Sequence, residues 1–145
     1  MSTVEEVQSA ILETAEAFFN ACESGRGWEG CKQYCHPNAT FACQSKALSE
    51  VESVEDYAEF MKGLHVTLPD ARWDLHFFGM DEDRGRVAAY ATYYGTHKGE
   101  GGPVDPTGKE VETDYVYIMH FDDGRLSHMT KVWNDGIAME QLGWM

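Results

Sequence analysis

The sequence predicts a single α+β domain in which N-terminal helices cover one face of a curved antiparallel sheet, forming a cone around an apolar pocket. Three observations lead there. Apolar residues recur at steps of three and four through the first part of the chain, the period of amphipathic helices. From Arg72 onward they alternate, the period of strands. The whole chain, residues 1–145 with 43% apolar residues, suits one core and is too short for two full domains.

Residues 3–22 place Val4, Val7, Ile11, Ala15, Phe18 and Cys22 on one helical stripe, and Thr3 with Glu6 forms a capping box at its start. Gly25, Gly27 and Gly30 break the pattern, and Trp28, Cys31 and Cys35 mark a short second helix that ends before Pro37. Residues 38–45 form a short strand. Ser53 with Asp56 opens a third helix whose Val54, Tyr57, Met61 and Leu64 share a face, and Pro69 closes the section. In the next strand Trp73, Leu75 and Phe77 oppose Arg72, Asp74 and His76. Residues 81–85 then turn, 86–97 form a strand, 99–108 a loop and 110–121 a strand. Asp122-Asp123-Gly124 makes a tight hairpin turn before a last strand over 125–133. Residues 137–142 make one helical turn or an extended tail.

Composition narrows the function classes. With 11 Lys plus Arg against 25 Asp plus Glu, the net charge is −14, which repels phosphate backbones and anionic lipid. Nucleic acid and membrane are therefore not expected partners. No apolar run approaches the roughly 20 residues of a membrane span. Residues 1–8 hold two glutamates and no basic residue, unlike a secretory signal, so a cytoplasmic location is expected. Four cysteines in a chain of this size are expected to be reduced thiols. Cys31 and Cys35, with His36, have a zinc-like spacing but lack a second ligand pair, so no metal is expected. The Gly99-Glu100-Gly101-Gly102 run is not a phosphate loop, because no Gly-Lys-Ser/Thr follows and an acid sits inside it.

Three stretches carry a family resemblance: Gly95-Thr96-His97 leading into Pro106-Thr107-Gly108-Lys109, then Asp123-Gly124-Arg125-Leu126, then Trp133-Asn134-Asp135 with Gln141-Leu142-Gly143-Trp144. Their order and spacing resemble the SnoaL-like polyketide cyclases. These belong to the nuclear-transport-factor-like superfamily, which also holds the ketosteroid isomerases. The resemblance implies a cystatin-like helix-covered sheet, no cofactor, and frequent homodimers. One fold hosts many functions, however.

The isomerases of the superfamily use a carboxylate at the end of the first strand and two oxyanion donors. Matching by spacing puts Cys43, Phe18 or Phe19, and Tyr117 there, so that catalytic set is absent. The cyclases imply an acid/base aspartate at the end of the last strand. Counting back from Gln141 puts Asn134 at that position. Strand alternation instead puts Asp135 on the face of Met129, Lys131 and Trp133, which makes Asp135 the preferred candidate. The same residues also fit turn and helix-capping chemistry.

Tyr117 and His97 are the candidates to polarise a carbonyl, His97 falling in a row of small residues with Ala89, Ala91 and Gly95. Tyr115, Tyr117, Met119 and Phe121 alternate down one strand and are expected to face a common pocket with Met129 and Trp133. Such a lining suits a flat apolar ligand with one or two polar handles, although a sealed core alternates in the same way. Lys131 favours the pocket, since an unpaired ammonium in a closed core is costly. Phe19, Cys43 and Asn134 complete the expected ligand contacts.

The expected activity is cofactor-free cyclisation or isomerisation of a small hydrophobic, polyketide-like carbonyl compound. A non-catalytic ligand-binding or protein-interaction module is the alternative. The expected assembly is a homodimer through the other sheet face, which carries Val116 and Ile118.

Overall fold

The computed structural model describes residues 3–145; Met1 and Ser2, part of the N-terminal stretch considered above, lie outside it. Helices α1 (Val4–Glu23), α2 (Gly27–Cys31) and α3 (Val54–Thr67) precede most of the sheet, and a short α4 (Asp135–Leu142) follows it. The strands are β1 (Cys35–Cys43), β2 (Arg72–Asp81), β3 (Arg86–Thr96), β4 (Glu110–Asp122) and β5 (Arg125–Trp133). They lie in the order β1-β5-β4-β3-β2.

The antiparallel expectation holds from β2 to β5, while β1 joins the edge parallel to β5. A parallel partner needs a crossover rather than a hairpin. Here the intervening chain runs through α3 and the whole antiparallel meander. The edge position also accommodates Pro37, which has no N–H to donate, beside a register shift between Cys35 and Thr40. Cys35 therefore belongs to β1, and the second helix ends earlier than expected, at Cys31.

Both expected helix caps form. Thr3 Oγ1 accepts from Glu6 N at 3.1 Å, and Ser53 Oγ accepts from Asp56 N at 3.1 Å. The stripe of α1 is buried only from Ala15 on. Val4 and Val7 are exposed because the first turns of the helix project beyond the sheet.

In β2 a bulge at His76 shifts the register between Leu75 and Phe77, so Phe77 leaves the face of Trp73 and becomes exposed opposite Tyr90. Uninterrupted alternation put all three on one side. The row of small residues on β3 is likewise interrupted, since Tyr93 lies between Ala91 and Gly95. Gly95 is needed for packing, because a Cβ there would stand 3.1 Å from Leu68 Cβ at the end of α3.

The core lies between α1, α3 and the inner sheet face. Phe41 stacks on Tyr57 at 4.5 Å between centroids, and Phe19 meets Tyr117 edge-on at 4.9 Å. Beyond β5, Asn134 caps α4 by accepting from Ile137 N. Gly143, at φ 75°, ends that helix with Trp144 N donating to Met139 O at 2.8 Å. This reversal folds Trp144 back over the sheet.

Candidate functional site

One inner row of side chains divides into core and cavity. Alternation along β4 assigns Val111, Thr113, Tyr115, Tyr117 and Met119 to the inner face, and α1 covers only part of it. Phe18 and Phe19 seal Tyr117, Met119 and Met129 into the core. Past the end of that cover, Val111, Thr113 and Tyr115 line a cavity of about 570 Å³ with Tyr93, Lys131 and Trp133. Its other walls are the C-terminal half of α3, the glycine loop at 101–103, and α4 with Trp144.

Of the expected contacts, Tyr115, Lys131 and Trp133 therefore reach the cavity. Tyr117, Met119, Met129 and Phe19 lie in the sealed core behind it. Phe121 is half-buried and also away from it. Cys43 is half-buried, its Sγ 3.4 Å from Ser45 Oγ, and does not line the cavity. Alternation tells which face a side chain takes but not how far along the strand a helix covers it.

Asp135 and Asn134 sit at the start of α4. Asp135 Oδ2 accepts from Ala47 N at 2.8 Å, tying the helix to the chain after β1, and neither residue lines the cavity. Asn134 opens instead onto a second depression beside Asp114 and Ile137.

His97 is wholly buried where segments 95–97, 106–109 and 141–144 meet. Its backbone pairs with Gly108 and Lys109, and its Nδ1 accepts from Trp144 Nε1 at 2.9 Å. An indole nitrogen only donates, so Nδ1 is unprotonated and the ring is the neutral Nε2–H tautomer. Nε2 has no partner and faces Gly102, where a Cβ would stand 2.9 Å away. Thr107 Oγ1 donates to Leu142 O at 2.7 Å, so this cluster fastens the C-terminal wall of the cavity.

Lys131 is 6% exposed, and its ammonium lies 4.5 Å from the centroid of Trp133, 5.0 Å from that of Tyr57 and 5.1 Å from that of Tyr115. It donates to Tyr57 Oη at 2.9 Å. Tyr57 Oη and Tyr117 Oη are 3.1 Å apart, and Tyr117 in turn donates to Glu23 Oε1. Tyr115 donates to Glu23 Oε2 at 2.7 Å. Every donor points the same way, from ammonium through two hydroxyls to a carboxylate. The result is a buried ion pair whose members never touch.

Burial pushes the Glu23 carboxyl above its ordinary range, opposed first by the charge of Lys131 and then by the two tyrosine hydroxyls. Burial also draws Lys131 below its ordinary range, opposed by Glu23. Tyr93 lines the same cavity with a buried hydroxyl that has no partner. Lys131 thus offers a donor at the cavity wall, with the Tyr115 and Trp133 rings beside it.

Sequence reasoning missed Glu23, Tyr57 and Tyr93 as site residues. The signal for Glu23 was its spacing, four residues after Phe19 on the buried stripe of α1. Among the described residues no group of three His, Cys, Asp or Glu side chains is placed to hold a metal. Cys31 and Cys35 are buried free thiols, and among the described residues no helix is long and apolar enough to cross a membrane.

The model of the SnoaL-like polyketide cyclase family matches residues 13–142. No curated protein matches the chain. Among solved structures, a protein of Jannaschia sp. assigned as a SnoaL-like polyketide cyclase superposes with a TM-score of 0.76 at 18% identity, covering 92% of each chain. AclR of Streptomyces galilaeus, assigned as a hydroxylase, gives 0.73 at 22% identity over 99% of this chain and 88% of its own. IdmH of Streptomyces antibioticus, assigned as a polyketide cyclase, gives 0.71 at 20% identity over 90% and 96%. At these identities the likeness establishes the fold, and the differing assignments on that fold leave the reaction to be argued from the site.

Proposed function

Because the chain belongs to the SnoaL-like polyketide cyclase family, we propose that its cavity takes a flat, largely apolar carbonyl compound of polyketide type and moves protons on it without a cofactor. Lys131 is the observation that carries this reading. A buried ammonium, held against three aromatic rings and facing a cavity, is placed to accept the oxygen of a ketone or enolate while Trp133 and Tyr115 contact the carbon skeleton.

In this reading the acid/base role expected of Asp135 passes to Lys131. Tyr117 acts behind Lys131 rather than on the ligand, and His97 holds the cavity wall. A non-catalytic ligand carrier is the second reading, favoured by the engagement of Asp135 with Ala47 N. A homodimer through the outer sheet face is proposed alongside, since Phe77, Tyr90 and Val132 stand exposed there beside half-buried Val116 and Ile118. Sedimentation at micromolar concentration tests it, and a monomer mass would refute it.

The ligand reading is tested by titrating 9-fluorenone and the hydrocarbon fluorene while following fluorescence from Trp133 and Trp144 in the cavity. The ketone is expected to bind about tenfold more tightly, from one added hydrogen bond to a charged donor. Lys131→Met is expected to remove the difference. Equal affinity for the two compounds in the wild type would overturn the assignment.

A further inference from the structure

The donor chain between Lys131 and Glu23 has two complete hydrogen-bonding states. In the first, the ammonium donates to Tyr57, Tyr57 to Tyr117, and Tyr117 to Glu23. If each proton moves one bond along, Glu23 becomes a carboxylic acid and Lys131 a neutral amine. Glu23 then donates to Tyr117, Tyr117 to Tyr57, and Tyr57 to the amine, while Tyr115 still donates to Glu23 Oε2. No group loses its partner, no proton enters from water, and the net charge is unchanged.

Burial disfavours the charge-separated state at both ends, and the amine it yields faces the cavity. A neutral amine in an apolar pocket is a nucleophile toward carbonyl carbon.

Resting on the cavity being the ligand site, we propose that Lys131 condenses with a ketone or β-dicarbonyl group of the ligand to form an imine, with Glu23 receiving and returning the proton through Tyr57 and Tyr117. The ammonium first lends one proton to Glu23 along the chain. The nitrogen lone pair then forms the C–N bond, and the carbonyl π pair moves to oxygen. A proton passes from nitrogen to that oxygen, giving a neutral carbinolamine. Glu23 returns its proton along the chain to the departing hydroxyl, which leaves as water. The products are a protonated imine on Lys131, a carboxylate at Glu23 and one water, the same net charge as at the start. The iminium is an electron sink for the α-carbon, which is what an enolising or aldol-type reaction needs.

The probe is 2,4-pentanedione, which converts a neutral lysine amine to an enaminone with its own near-ultraviolet absorbance. The chain supplies internal controls, since Lys32, Lys46, Lys62, Lys98 and Lys109 are all exposed. Mapping the adduct by peptide mass spectrometry on the wild-type protein across pH requires no variant to fold. The expected result is modification of Lys131 near neutral pH, with the other five reacting only under alkaline conditions.

Glu23→Gln is expected to move the onset at Lys131 to lower pH, because a negative charge that favours the ammonium is gone, and, with no proton acceptor at the end of the chain, to lower the rate above that onset as Tyr117→Phe does. Tyr117→Phe, which interrupts the chain and keeps both charges, is expected to slow the adduct about a hundredfold, the scale of a lost proton-transfer path. A Lys131 that stays unmodified, or reacts only with the exposed lysines, overturns the proposal. An unchanged rate in Tyr117→Phe overturns the relay. Fluorenone binding without a Lys131 adduct refutes the imine and spares the functional reading; an adduct without fluorenone binding does the reverse.

Discussion

Replacing Lys131 by Met keeps the length and apolar stem of the side chain and removes its charge. Glu23 is then left as a buried carboxylate held by the hydroxyls of Tyr115 and Tyr117. Removing one member of a buried pair costs about 3–5 kcal/mol, because the other charge stays in low dielectric. At about 3 °C per kcal/mol for a domain of this size, the melting temperature should fall by about 9–15 °C near pH 8. Without the ammonium the Glu23 pKa rises further, so the unpaired carboxylate escapes its penalty by binding a proton. The loss should therefore shrink as pH is lowered. The double variant with Glu23→Gln removes both charges and should recover about 1–3 kcal/mol of the single-variant loss, a coupling measured by urea unfolding of all four proteins. A cost for Lys131→Met below about 1 kcal/mol, unchanged from pH 5 to pH 8, would show that the two groups do not form a buried pair.

The wild-type protein should also show the pair in its pH dependence. The folded-state pKa of Glu23 is raised above 4.5, so the native state holds a proton that the unfolded chain releases, and the urea midpoint should fall as pH rises through that window. That part of the dependence should vanish in Glu23→Gln. Asp135→Asn should cost about 1 kcal/mol, read from thermal unfolding, as the charged acceptor of Ala47 N is lost, while turnover on any responsive ketone is kept. Trp144→Phe removes the shorter of the hydrogen bonds to His97 Nδ1, leaving Thr107 N at 3.3 Å, and should lower stability by about 1 kcal/mol in thermal unfolding, with faster amide exchange over residues 99–108. Gly99→Ala places a Cβ 1.9 Å from Val66 O, a backbone atom that cannot turn aside, and should destabilise by more than about 1 kcal/mol in chemical unfolding.

Much of the architecture was legible because local signals and the global fold agree. Thr3 and Ser53 cap where their spacing indicated, and the Asp-Gly turn joins β4 to β5. Three features were not legible for a shared reason: each is set by contacts distant in sequence. The parallel pairing of β1 with β5 has no turn to announce it. The bulge at His76 changes the face of Phe77 without any glycine or proline to mark it. The boundary between sealed core and cavity depends on where α1 ends over β4, which alternation does not record. At the site, Lys131 drew notice as a charge on an apolar row, and it does face the cavity. Its partner was hidden because Glu23 looks like an ordinary acidic residue at a helix end until Tyr115 and Tyr117, some ninety residues later, are brought to it.

The central claim is that chemistry in the cavity runs through Lys131 rather than Asp135. Its most direct test is deuterium incorporation from heavy water into a panel of cyclic and polycyclic ketones, α-tetralone among them, followed by mass spectrometry for the wild type, Asp135→Asn and Lys131→Met at matched folded fractions. The account predicts uptake with the wild type and Asp135→Asn and none above buffer with Lys131→Met. Uptake that survives in Lys131→Met and disappears in Asp135→Asn would contradict it.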